Sequence, residues 1–580
     1  MRSPPEVLAA RAVHQYRRRD IFAYVSLRQY LKNSAALRDV WSDEVATELL
    51  ADRKEPVFNV VDSFKEVVES SGKPVFRTLH ILSPNDIMAE TALLAACAEV
   101  GGMFSRHPSV FSYILSKGSK DTLGVFQPYF DGFKARHAAI AQACRAQPDA
   151  VVVYTDIKQF YPSISFDHAF RIWRKACESS GLASKYASLG EKLLEDARNY
   201  QGEKVGEIGI LTGPMISHLL GNLVLREIDD DLSRELPGAY FRYVDDVAIV
   251  APVGRALEIE QRLKAHLERL GFTLNDKKRL ETVGRKWLDS SNDFDDPKGI
   301  SWMTFIADMK RLLLFNPDAR QALKEAFHQG GIRINPPDYS EVAQERNFLE
   351  RLEALMQFRW FRRSTRSRTQ IGFVVFQCAH LRGGFLKELN ELLGIFERLQ
   401  DYDRKRKLYR LKFLVARMLY LGTREELKDI SSAISGIVEM AMAASVYDAV
   451  ITRDVSQLLR YGPTAAQAAA QALLAEGETV ACKSVDWADP KTVMACAVFQ
   501  LNGLKVESEY PLPEAPALRF SNWTEQSFGL YRSADPYFRE LGCVHGMDDP
   551  NANRWAIETA FDRDDDLVFD IQETMQAYPY

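Results

Sequence analysis

The feature that most constrains this chain is a pair of apolar runs that each meet a carboxylate. VVVYTD (151–156) is a β-branched run that stops at Asp156, the pattern of a buried strand. Almost ninety residues later, FRYVDDVAIV (241–250) reads as two short apolar strands joined at Val244-Asp245-Asp246, a hairpin with acids at its tip. Apolar strands on both sides of Asp245 and Asp246 force those acids to a sheet edge. A solvated acidic run carries no such requirement, and Asp229-Asp230-Asp231 and Asp564-Asp565-Asp566 read as runs of that ordinary kind.

The elements around these strands complete a pattern. Pro237 and Gly238 end a helix-like stretch before the hairpin. A helix from Arg255 to Leu270 follows it and stops at Gly271, and FTLN (272–275) reads as a further strand. Strand, helix, paired strands, helix, strand is the order of a ferredoxin-like α+β layer. Upstream, 11–50 reads as helical. Beyond about Lys310 helical spacing dominates, in 342–358, 384–399, 404–420 and 465–476. The expectation is an α+β region over 1–310 and a mainly α-helical region over 311–580, with stacked, HEAT-like helix pairs as one form the second could take.

Composition enters as a filter. With 74 basic and 79 acidic residues the formal charge is −5, so any polyanion site is local and not a basic coat. Seven cysteines without a CxxC pair argue against a zinc site or disulfide framework and suit a reducing, cytoplasmic setting in which all seven are buried apolar residues. No apolar stretch has the length and purity of a signal peptide or membrane span, so no membrane partner is expected.

Acids brought together at a strand end and a hairpin tip are suited to holding a pair of magnesium or manganese ions. Such a pair, roughly 3.5–4 Å apart, lowers the pKa of an attacking hydroxyl and neutralises a leaving pyrophosphate.

Four segments in order, TDIKQFYPSI (155–164), GILTGPMISHLLGNLVL (209–225), YVDD (243–246) and GFTLNDKKR (271–279), resemble motifs A, B, C and D of reverse transcriptases. With the upstream and downstream candidates the resemblance spans 72–306. It implies fingers and a palm with a ferredoxin-like sheet, and a DNA nucleotidyltransferase acting on dNTPs with Mg2+ or Mn2+. By position, Asp156 and Asp245 resemble the metal-binding acids, Asp246 the second acid of the hairpin, and Ile157 the residue whose backbone carbonyl completes a metal shell. Tyr161 matches the steric gate that crowds a ribose 2′-hydroxyl; a core aromatic beside Phe160 is the plainer alternative. Thr212, Gly213 and Pro214 occupy the motif B loop, where small residues let backbone approach a base pair, and Ser217 and Asn222 lie on the helix after it. Lys278 matches the proton donor to pyrophosphate, with a merely basic cluster of Lys277, Lys278 and Arg279 as the rival.

GKPVFRTLHILSP (72–84) looks like the fingers strand that holds the triphosphate, with Arg77 the better candidate and Lys73 the lesser, against a solvated strand edge. A primer grip would fall at ISWMTFI (300–306), although the family's Leu-Gly turn is missing there. Leu211-Thr212-Gly213-Pro214 departs from the PQG of intron-encoded and retroviral enzymes and resembles the abortive-infection and other defence-associated reverse transcriptases of bacteria. That subgroup implies antiviral defence, synthesis with or without a template, priming in some cases from a protein side chain, and homo-oligomers. Two further readings stay open: a reverse transcriptase templated by a non-coding RNA, and a catalytically silent RNA-binding or oligomeric scaffold. QFRWFRRSTRSR (357–368) and DRKRKLYRLK (403–412) have the basic and aromatic composition that grips nucleic acid, or simply form solvated helix faces.

Overall fold

The computed structural model describes residues 57–68, 71–117, 124–127, 129–202, 209–289, 297–336, 370–483, 485–509 and 534–544, with the short stretches 11–12, 15–16 and 47–51. Most of the expected helix over 11–50 and the stretches 342–358 and 357–368 lie outside the described residues. The chain is a mixed α/β protein, mostly helical, whose main sheets are antiparallel.

Strands β1 (Phe58–Val67) and β2 (Pro74–Leu82) form a long antiparallel ribbon. Four further strands make the central sheet: β3 (Val151–Asp156), β4 (Tyr240–Tyr243), β5 (Asp246–Ala251) and β6 (Leu280–Val283), in the order β4-β5-β3-β6. All pairs are antiparallel. β3, β4 and β5 are buried at every position, which requires cover on both faces. The helix Tyr129–Ala146 lies against β4 and β5, and the helix Ala256–Arg269 against β5.

One expected strand moves. Within FTLN only Leu274 makes an isolated bridge, to Ile157, and the fourth sheet strand is β6, five residues beyond that stretch. The backbone of Asn275 is diverted to Asp156, whose carbonyl accepts its N–H at 2.7 Å, so the segment is tied to the strand end instead of extending a ladder. The expected primer-grip stretch 300–306 is also different: it lies inside the helix Pro297–Phe315, with Trp302, Phe305 and Ile306 buried.

Two apolar cores organise the chain. The first gathers the sheet and its helices as far as Trp287 and takes in Tyr402, Ala497, Leu501, Tyr537 and Leu541. The second runs from Trp302 to Val506. The helices Ile371–Phe396, Asp401–Leu421 and Pro463–Glu476 fall where helical spacing places them. Described helices of this half run from 9 to 26 residues and a short parallel ribbon, β7 (Thr479–Cys482) with β8 (Lys505–Ser508), interrupts them, so a HEAT-like repeat is not established. The β1–β2 ribbon bridges the two halves: Phe64 packs edge-on to Tyr461, and Asp62 faces Lys491 Nζ at 3.8 Å. Cys97, Cys144, Cys177, Cys378, Cys482 and Cys496 are free and buried, and no described helix is long and apolar enough to cross a membrane.

Candidate active site

Register builds the site. β3 pairs with β5 so that Asp156 stands opposite Asp246, and β4 pairs with β5 so that Tyr243 stands opposite Asp246, leaving Val244 and Asp245 as a two-residue turn. The N–H of Ile157, just past the end of β3, donates to the carbonyl of Asp245 at 3.0 Å and ties the turn to the strand end. Each of Asp156, Asp245 and Asp246 offers a carboxylate oxygen within 4.8 Å of the others. Asp156 and Asp246 are buried and Asp245 is partly so.

Like charges this close, out of water, resist ionising together. Burial, then the charge of Asp156, push the Asp245 carboxyl up to about 6, with Lys278 and Arg77 among the charges opposing the shift. Burial, then Asp245, hold Asp246 well above the carboxylate range against the pull of Arg136. Arg136 is itself buried under the sheet, and its Nη2 donates to the Asp246 carbonyl at 3.3 Å. Lys278 Nζ lies 2.9 Å from Asp156 Oδ2. Burial draws the Lys278 pKa down, but the hydrogen bond to Asp156 and the charges of the three acids outweigh it, so the ammonium is held more firmly than usual. Asn275, to which the sequence reading gave no role, donates from Nδ2 to the same Asp156 oxygen at 3.2 Å.

The remaining sequence candidates divide. Arg77, exposed on β2, faces the acids closely enough to oppose the Asp245 shift. Lys73 lies in the turn that joins β1 to β2, where its carbonyl accepts the N–H of Val68 at 2.9 Å, about 13 Å of strand from Arg77. The hydroxyl of Tyr161 meets His218 Nδ1 at 2.5 Å, and His218 stacks flat on Tyr113 with centroids 3.8 Å apart, so the ring is held by side chains of its own.

The Thr212-Gly213-Pro214 loop packs against the end of β2: the Thr212 carbonyl accepts the N–H of His80 at 2.8 Å. A Cβ at Gly213 would meet the His80 carbonyl oxygen at 2.1 Å, and its φ of +136° belongs to glycine. Here the close approach that requires the glycine is to β2. Pro214 stands at the start of the helix Met215–Val224, which carries Ser217, His218 and Asn222.

One expectation is overturned outright. Asp229 is not part of a solvated run: it is fully buried and ion-paired with Arg242, Nη2 to Oδ2 at 2.6 Å, and only its neighbours Asp230 and Asp231 face water. The helix Arg226–Glu235 turns the three consecutive acids in different directions, which composition alone does not resolve. A second unanticipated neighbour is Tyr409 on the helix Asp401–Leu421, whose hydroxyl is pushed well above its usual range by burial and by the charge of Asp246.

No protein-family model matches the chain, and no curated protein matches it. Among solved structures it is similar to telomerase from Candida albicans in complex with a fragment of telomeric RNA, at 11% identity and a TM-score of 0.27, over 70% of this chain and 67% of that one. A likeness at that score carries no argument for fold or function.

Proposed function

We propose that the chain is a metal-dependent nucleotidyltransferase that builds DNA from dNTPs, a reverse transcriptase of the bacterial defence type, with 1–310 as fingers and palm and 311–580 as a helical region. The observation that carries this reading is the triad Asp156, Asp245 and Asp246, with carboxylate oxygens within 4.8 Å of one another and Lys278 Nζ 2.9 Å from Asp156.

The donor set fits a hard divalent cation: three carboxylates, all oxygen, two of them driven toward protonation first by burial and then by a neighbouring carboxylate's charge, which a bound cation would oppose. Asp156 and Asp245, with the Ile157 carbonyl, would hold Mg2+ or Mn2+, and Asp246 would add a third carboxylate. When bound, the metal supplies the Lewis acidity that activates an attacking hydroxyl and neutralises pyrophosphate.

The chain's own residues supply the rest. Lys278 keeps its proton at neutral pH and stands where a leaving pyrophosphate would take it up. Arg77 offers a guanidinium on the ribbon beside the acids, suited to a triphosphate. Tyr161, its hydroxyl held 2.5 Å from His218 Nδ1, would be the ring that crowds a 2′-hydroxyl.

The test is incubation of nuclease-treated protein with Mg2+ and each labelled dNTP, with no template, with an RNA template and primer, or with its co-purified RNA restored. Products are run before and after protease digestion. Incorporation in any arm, lost in Asp245→Ala, supports the reading. Label that shifts on proteolysis assigns protein priming, and dependence on restored RNA assigns a non-coding template. Absence of incorporation in every arm refutes the enzyme and favours a scaffold.

A further inference from the structure

The turn that presents Asp245 is in a conformation its sequence does not favour. Val244 has φ +57°, the left-handed region, where a β-branched residue is a genuine outlier and where two-residue hairpin turns ordinarily use Gly or Asn. Such a backbone persists only when its surroundings over-determine it.

Here they do. The N–H of Val244 donates to Ser112 Oγ at 2.7 Å, and its carbonyl accepts from Arg242 Nη1 at 2.8 Å, so both polar groups of the strained residue are held by buried side chains. Arg242 is in turn fixed as a fork. Nε and Nη2 reach the two oxygens of Asp229 at 2.8 and 2.6 Å, and Nη1 also meets Asn222 Oδ1 at 3.2 Å. Asp229 accepts a further hydrogen bond from Tyr240 at 2.8 Å, and Asn222 Nδ2 donates to the Ser112 carbonyl at 3.1 Å, closing the circuit. The backbone of β4 is laced to the same segment: Arg242 N–H to Ser109 carbonyl at 2.8 Å and Phe111 N–H to Arg242 carbonyl at 3.0 Å.

We propose that Ser112, Arg242 and Asp229 are positioning residues of the acid cluster: they hold Val244 left-handed, and thereby keep the Asp245 carboxylate beside that of Asp156. None of the three touches the cluster's oxygens. The effect passes through one peptide, since relaxing Val244 to an extended φ would rotate the Val244–Asp245 peptide and carry Asp245 away from β3. The inference rests on the triad as a cation site but not on nucleotidyl transfer, so it stands or falls separately from the proposed reaction.

The experiment is a double-mutant cycle read by Mn2+ binding to the full chain without nucleotide, and by amide exchange over 240–247 in metal-free protein. Ser112→Ala removes one acceptor and little volume. It is expected to weaken Mn2+ binding about tenfold and to speed exchange across the turn, while Ser112→Thr, which keeps the hydroxyl, restores both. In a Val244→Gly background, where glycine adopts the left-handed region without strain, Ser112→Ala should cost less than about threefold. Equal losses in both backgrounds would overturn the proposal, because the hydroxyl would then not act through the strained residue. So would unchanged exchange over 240–247 in Ser112→Ala, which is read in the absence of metal and therefore decides the matter even for a protein that takes up no Mn2+.

Discussion

Asp245→Asn should make the metal-free protein more stable while abolishing metal binding. The Asp245 carboxyl is raised from the ordinary 3.8 to about 6 by burial and by Asp156. A folded-state pKa above the unfolded one means that the folded chain holds the proton more tightly. The cost of carrying Asp245 in the folded state is therefore absent below pH 3.8, grows as the pH rises, and is complete above about 6. The shift of roughly two units, at 1.36 kcal/mol each, corresponds to about 3 kcal/mol at pH 7.5 and about 1 kcal/mol at pH 4.5. A neutral amide of the same shape removes that cost. Urea unfolding in EDTA should show Asp245→Asn more stable than wild type by up to about 3 kcal/mol at pH 7.5, with the gap narrowing at pH 4.5. Mn2+ at about a thousand times its Kd should reverse the order, since a ligand at that concentration adds about 4.1 kcal/mol to the state that binds it. A variant less stable than wild type in EDTA at pH 7.5, or a gap that does not change with pH, would refute the claim that burying the Asp245 charge beside Asp156 opposes folding.

The three consecutive acids should separate by stability: Asp229→Asn, which leaves Arg242 buried without its partner, should cost about 3–5 kcal/mol, and Asp230→Asn, half exposed, less than about 0.5, both by urea unfolding. On the proposed reading, Lys278→Met should lower the rate of nucleotide incorporation by roughly 10²–10⁴, measured with labelled dNTPs. Tyr161→Val should raise incorporation of ribonucleotides relative to deoxynucleotides by about tenfold or more in competition assays. An unchanged ratio would return Tyr161 to the plain role of a packed aromatic.

Much of the sheet was legible because its strands carry one signal each. β3 and the β4–β5 hairpin are short apolar runs with no competing helical period, and the acids could only fall at their ends. FTLN misled because a four-residue stretch of alternating apolar and polar residues has the same appearance whether it pairs or is drawn aside, and Asn275's backbone bond to Asp156 is a tertiary fact. The acids of the site could be read from their flanks, whereas Asp229 could not. Whether an acid in a polar run faces water or an arginine depends on which helix face meets β4. Gly213 was singled out for the right property, its missing side chain, but the neighbour that requires it is β2 and became visible only in the fold. The one available sign of the Ser112–Arg242 circuit was Val244 itself, a β-branched residue in a two-residue turn where glycine or asparagine is expected.

The most direct test of the central claim, that the triad is a two-cation site, is an electron paramagnetic resonance titration of the protein with Mn2+ in the presence of a non-hydrolysable dNTP analogue. The account predicts two ions per chain with the exchange-coupled spectrum of neighbours about 4 Å apart, and loss of that signal in Asp245→Ala. An uncoupled spectrum in wild type, or a coupled one that survives Asp245→Ala, would contradict it.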